Sequence, residues 1–246
     1  MTGFDTIIRN ADVLTPDGLQ AVDVALSGET IAALVPRGDG SATNIIEAQG
    51  QTLLPGAIDI HFHIRAPAYP DRGTVESETR AAAAGGITTL FEMPISKPCC
   101  NTAERVEIRR AHFAEHAFIN FGLYAAPGDL TDTSVQAMAD AGIVAYKIFT
   151  TPAPPGRDDE FFGLSFPDEA DQMRALKSVA KTGLPIVVHA ESAQLLALAE
   201  ADLAGADLGH VDAHLASRPA LCEAVAVAKL LTMNMEAQAR LHIAHV

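Results

Sequence analysis

The sequence is poor in cations, in cysteine and in long apolar runs, and each shortage argues against a class of function. Its 17 Lys and Arg face 31 Asp and Glu, a formal net charge of -14. Neutralising phosphates needs clustered Lys and Arg, so this balance argues against nucleic acid as a partner and against an anionic membrane surface. Only three cysteines occur: Cys99 and Cys100 are adjacent and Cys222 stands apart. An odd count without CxxC spacing speaks against a disulfide framework and against a cysteine-based zinc site, and it fits a reducing compartment. No uncharged apolar run reaches the roughly 18 residues that a membrane span requires. Residues 1–10 carry Asp5 and lack the basic start and apolar core of a secretory signal. Together these absences lead to the expectation of an acidic cytoplasmic protein. Hydrophobic residues make up 48% of the 246 and charged residues 20%, enough for a sizeable core.

Two regions differ in pattern. Residues 1–54 hold short β-like runs, such as Thr6-Ile7-Ile8 and Val22-Asp23-Val24-Ala25-Leu26, punctuated by Asp17-Gly18 and Ser27-Gly28. They are expected to form a small N-terminal β-sandwich module. From Pro55-Gly56 onward, strand candidates at 57–63, 87–93, 119–124, 143–149, 185–189 and 241–246 alternate with helix candidates at 76–84, 103–116, 133–141, 168–182, 193–201 and 219–233. Such alternation predicts an α/β fold with a parallel sheet. No GxGxxG turn follows the first strand, which favours a TIM-type (β/α)8 barrel over a dinucleotide-binding sheet. Six strands are visible where a full barrel has eight. The barrel over 55–246 is therefore expected to be incomplete, truncated after its sixth strand.

His61-Phe62-His63 ends the first of these strands. Side chains two apart in a strand share a face, so both imidazoles point the same way, as metal ligands require. Three more polar residues sit at or near the ends of other strands: Lys147, His189 and His245. The carboxyl ends of barrel strands are where such folds keep active sites. A protonated lysine is a poor metal ligand, so Lys147 is either an ion-pair partner or a group with a lowered pKa or a covalent modification. His242 and His245 are three apart, so strand parity sends only one inward; the choice falls on His245, with His242 expected to pack towards the helices. His112 with His116, and His210 with His214, have helical ligand spacing but lack an HExxH pattern and are expected to be solvated.

Taken together, the motifs resemble the cyclic amidohydrolase group of the amidohydrolase superfamily. Leu54-Pro55-Gly56-Ala57-Ile58-Asp59-Ile60-His61-Phe62-His63 looks like its PGxIDxHxH signature, and Arg80–Thr89 followed by Met93-Pro94 looks like its AAxxGGxTT…MP segment. Ala145-Tyr146-Lys147-Ile148-Phe149 resembles the strand carrying a carboxylated lysine. Val188-His189-Ala190-Glu191, Ser217-Arg218-Pro219 and Leu241–Val246 resemble its later motifs. The resemblance implies two divalent metal ions, zinc first among the candidates. His61 and His63 would hold one, His189 and His245 the other, and Lys147, as a CO2-derived carbamate, would bridge them. It implies ring-opening hydrolysis of a small cyclic amide or ureide, and a homo-oligomer at full length. The group's catalytic Asp, on the eighth strand, would lie beyond Val246. Arg65 follows His63 as in dihydroorotases, where the arginine holds a substrate carboxylate; pairing with a local acid is the other role open to it. Ile95 after Met-Pro and Pro152, where hydantoinases carry a substrate-binding tyrosine, depart from the dihydroorotase and hydantoinase patterns. An allantoinase-like substrate ranks first, dihydroorotase-like second and hydantoinase-like third. A non-catalytic truncated homologue acting as a binding protein is the alternative class.

Overall fold

The computed structural model describes residues 3–203 and 209–246 and divides into two compact units, Met1–Ala57 and Ile58–Val246. In the first unit, strands β1 (Phe4–Arg9), β2 (Asp12–Thr15), β3 (Gly18–Gln20), β4 (Val22–Ser27), β5 (Thr30–Pro36), β6 (Ala42–Glu47) and β7 (Thr52–Leu53) form two sheets, ordered β5-β4-β1-β6 and β3-β2-β7. Strand alternation turns Ile8, Val13, Val24, Leu26 and Leu53 into one shared apolar core. The buried Asp23 carboxylate accepts hydrogen bonds from Asn10 N at 3.0 Å and Gly38 N at 2.8 Å. It thereby holds Asn10 at a left-handed φ of 57°.

The second unit alternates strand and helix. β8 (Ala57–Phe62) leads to α1 (Val75–Ala84), β9 (Ile87–Glu92) to α2 (Ala103–His116), and β10 (Asn120–Ala125) to α3 (Asp132–Asp140). β11 (Ala145–Phe149) precedes α4 (Asp158–Phe161) and α5 (Glu169–Ala180). β12 (Pro185–His189) precedes α6 (Ala193–Asp202), α7 (Val211–Ser217) and α8 (Ala220–Ala237), and β13 (Arg240–Ile243) follows. The six strands β8 to β13 lie in sequence order in one sheet, curled into a parallel half-barrel. Side-chain oxygens at Thr74, Thr102, Thr131 and Asp168 cap the first turns of α1, α2, α3 and α5. Each accepts from backbone N–H groups that the helix leaves unpaired, which sets where the helix starts.

Alternate strand residues separate two cores. Phe62, Leu90, Leu123, Ile148, Ile186, Val188, Leu241 and Ile243 pack with Phe113, Leu176 and Leu230 on the helix side. Phe91, Met93, Tyr124, Val144, Ala145, Val187 and Ala244 gather on the concave side. Gly122 lies between large neighbours there: a Cβ would stand 2.6 Å from Val144 Cγ1 and 2.8 Å from Phe91 Cδ1, so no larger residue fits. Among the described residues, no helix is long and apolar enough to cross a membrane.

Candidate metal centre

The curl of the sheet brings four strand ends together. His61 lies in β8 and His63 just after it, with ring centroids 5.2 Å apart. The His61 ring is 5.1 Å from that of His245, and His245 is 4.9 Å from His189. His189 Nδ1 and His245 Nε2 stand 3.3 Å apart. Lys147, in β11, is paired in register with Val187 of β12, while Phe149 is paired with His189 and stacks on its ring at 4.7 Å. The Lys147 side chain is fully buried, and its Nζ has no hydrogen-bond partner among the described residues.

Burial governs the charge of this cluster. It alone pulls the Lys147 amine down to about 7. Burial first, then Lys147 and His245, pulls His61 down to about 4. Burial, then His61 and Arg65, pulls His63 down to about 3. His189 and His245 are lowered too, again chiefly by burial. Four imidazoles that resist protonation and an amine near neutrality form a concentrated set of lone pairs. Removing charge from these groups is what burial does, and neutral imidazole is the form that binds a metal. Among the described residues, no three His, Cys, Asp or Glu side chains are already arranged around one point as a metal cage. The donor chemistry and the orphaned buried nitrogen of Lys147 nevertheless fit a cationic centre.

Supporting contacts hold the donors. His189 Nε2 and Glu191 Oε2 lie 2.5 Å apart, and Glu191 is in turn bound by Arg218. With Nε2–H donated to that carboxylate, the His189 Nδ1 lone pair faces His245. Thr150 Oγ1 accepts from Glu191 N at 2.9 Å and lies 3.1 Å from the His189 carbonyl, tying the ends of β11 and β12 together. His61 N donates to Asp59 Oδ1 at 2.9 Å. Glu191 and Arg218 were legible in the sequence only as parts of motifs; their pairing spans 27 residues and carried no local signal.

One expectation changes. His242 does not pack towards the helices: it lines a concave-side cavity of about 410 Å³ with His61, Tyr124, Val187 and His245. The strand ends at Ile243, and His245 adopts a left-handed φ of 39°, which breaks the period-two rule on which the parity argument rested. His214 is exposed, as expected, and lines the mouth cavity, about 780 Å³, together with His189, Glu191, Arg218, Glu223 and His245. His210 caps α7, and His112 and His116 stack 4.8 Å apart on α2, away from the cluster. Arg65 has a local acid nearby. Its guanidinium is 3.9 Å from Glu160, which also binds Arg157 through both oxygens at 2.9 and 2.6 Å and accepts from Tyr69 Oη at 2.5 Å.

Comparison with known proteins bears on the family and the fold. A family profile described as Dihydro-orotase-like matches residues 50–151. The chain is 30% identical over 248 residues to an allantoinase of Desulfitobacterium hafniense, covering 100% of this chain and 54% of the relative. It is 30% identical to an L-hydantoinase of Paenarthrobacter aurescens, covering 99% of this chain and 52% of the relative. Among solved structures, the L-hydantoinase (dihydropyrimidinase) from Arthrobacter aurescens superposes with a TM-score of 0.90 at 28% identity, over 99% of this chain and 53% of that one. Fold and sequence thus set the described residues beside hydantoinases and allantoinases, with a half-barrel that matches the fold of the L-hydantoinase. The chain is similar over its whole length to members of the cyclic amidohydrolase group, and it spans about half the length of the curated relatives it matches.

Proposed function

We propose that the whole protein is a metal-dependent cyclic amidohydrolase that opens a neutral cyclic amide or ureide, allantoinase-like in substrate, and that this chain supplies most of its metal-binding residues. The observation that carries this reading is the convergence of four imidazoles on a buried, unpartnered lysine at adjacent strand ends. His61 and His63 would hold one divalent ion and His189 and His245 the other, with Lys147 between them. A bound metal pair supplies Lewis acidity towards an amide carbonyl and towards water. The free-base fraction of Lys147 Nζ, enlarged by burial, attacks the carbon of CO2. The new N–C bond forms as one N–H proton leaves to solvent, giving a carbamate whose two oxygens share one negative charge. Glu191 and Arg218 orient the His189 ring. The N-terminal unit is read as one part of a composite β-sandwich.

The charge around the site favours a neutral ring over a carboxylate-bearing one such as dihydroorotate. Arg65 faces Glu160, and Arg218 is bound to Glu191. The mouth cavity also presents Glu200 and Glu223. A substrate carboxylate would meet acids and cations that already have partners, and desolvating it without a free cation is costly. The test is to assay the full-length, zinc-loaded protein on allantoin, dihydroorotate and hydantoin. Turnover of allantoin, with dihydroorotate untouched, is expected. Preferred turnover of dihydroorotate would overturn the substrate reading, and purification without stoichiometric metal would overturn the hydrolase reading.

A further inference from the structure

Glu92 is fully buried at the end of β9, and strand alternation turns it to the helix side, between the concave-facing Phe91 and Met93. It therefore touches neither the metal cluster nor a substrate. Its two carboxylate oxygens are both committed: Oε2 accepts from Ile64 N at 2.8 Å and Oε1 from Arg65 N at 2.8 Å. These are successive backbone donors in the turn that follows His63. Arg65, the second of them, holds a left-handed φ of 63°, a conformation that a side chain with a Cβ adopts at a cost. Paired N–H groups beside a left-handed residue form a concave nest for an anion, and Glu92 fills it.

The rest of the turn is held as tightly. Arg109 of α2, also buried, donates to Ala66 O at 3.2 Å and to Met93 O at 3.0 Å, thereby bracketing the turn and the end of β9. Ser96 Oγ donates to Arg65 O at 2.9 Å. Met93 N donates to Phe62 O at 2.8 Å, which fixes the strand register between the two candidate histidines. A buried carboxylate and a buried guanidinium are expensive replacements for apolar packing. Here they satisfy consecutive backbone groups of one strained turn, which apolar side chains could not do.

We propose that Glu92, supported by Arg109 and Ser96, is the positioning residue of the candidate metal centre: it locks the 64–66 turn and so aims His61 and His63. The inference rests on the reading of these histidines as ligands. Glu92→Gln tests it with almost no change in volume. The carboxamide offers one acceptor oxygen where the turn presents two N–H donors, so its NH2 would face the other donor. A packing role would survive this change; an aiming role would not.

The experiment is a zinc competition titration of the full-length, metal-stripped protein against a chromophoric chelator, which yields two dissociation constants. His61→Ala identifies the constant that belongs to the His61/His63 site. Glu92→Gln is expected to weaken that same constant by about 10- to 100-fold, the range for residues that orient ligands, and to leave the other constant unchanged. Ser96→Ala, a gentler variant for use if Glu92→Gln does not fold, is expected to weaken it several-fold. Unchanged constants in either folded variant overturn the proposal while leaving the hydrolase reading intact. Wild-type protein that binds no zinc overturns both.

Discussion

Lys147 offers the sharpest separation of stability from function. Its amine is pulled from an ordinary 10.5 to about 7 by burial, with no hydrogen-bond partner among the described residues to offset the cost of charging it. The sign follows from proton uptake. Between pH 7 and 10.5 the unfolded chain holds the proton and the folded chain releases it, so stability rises with pH across this window. Below pH 7 the full penalty is present; above 10.5 it is gone. At pH 7 the penalty is about 4 kcal/mol and at pH 9 about 2 kcal/mol, from RT times the logarithm of the two binding polynomials. Lys147→Met removes the titrating group and keeps an unbranched side chain of similar length. The metal-stripped variant, in CO2-free buffer, is expected to exceed the wild type in stability. Denaturant unfolding should show the gap shrinking by about 2 kcal/mol between pH 7 and pH 9. The four histidines that sense Lys147 are held low and stay neutral in both folded proteins between pH 7 and 9, and the remaining titrating groups cancel. A gap that stays constant with pH would refute the reasoning, because it would mean that the lysine is solvated or paired in the folded state. The same variant should lose metal-dependent hydrolysis, since methionine cannot form a carbamate.

Two further outcomes are expected elsewhere in the chain. Asp23→Ala should cost about 2–4 kcal/mol in chemical unfolding, because Asn10 N and Gly38 N would lose their shared acceptor inside the N-terminal unit; a loss below 0.5 kcal/mol would show that water replaces the carboxylate. Glu160 is held down to about 2, chiefly by its hydrogen bonds with Arg157. Its contribution to stability is therefore complete above pH 4.5 and disappears as pH falls towards 2, so Glu160→Gln should flatten the acid limb of the stability curve there. An acid limb identical to wild type would show that the Arg157–Glu160–Tyr69 cluster does not hold in solution.

Much of the site was legible because strand geometry is local. The HxH spacing puts two imidazoles on one face whatever surrounds them, and an apolar run ending in His or carrying a central Lys marks a strand end near a barrel mouth. The helix starts were equally local, since Thr or Asp ahead of an amphipathic run caps its own helix. His242 was misjudged for a reason just as local: the period of two applies only while the chain stays extended, and it leaves the strand before His245.

What the sequence determined by itself was the alternation of strand and helix, the identity of the donor residues, and their place at strand ends. Those follow from backbone periods of two and 3.6 and from side-chain chemistry. Only the tertiary structure decided which distant groups meet. Arg65 lies near Glu160, Glu92 of one strand seats the turn after another, and Lys147 Nζ ends over the Phe149 ring with no hydrogen-bond partner among the described residues. Each of these depends on how the sheet curls and which loops it brings together. Burial, which sets the charge of every group in the centre, exists only once the half-barrel has closed around them.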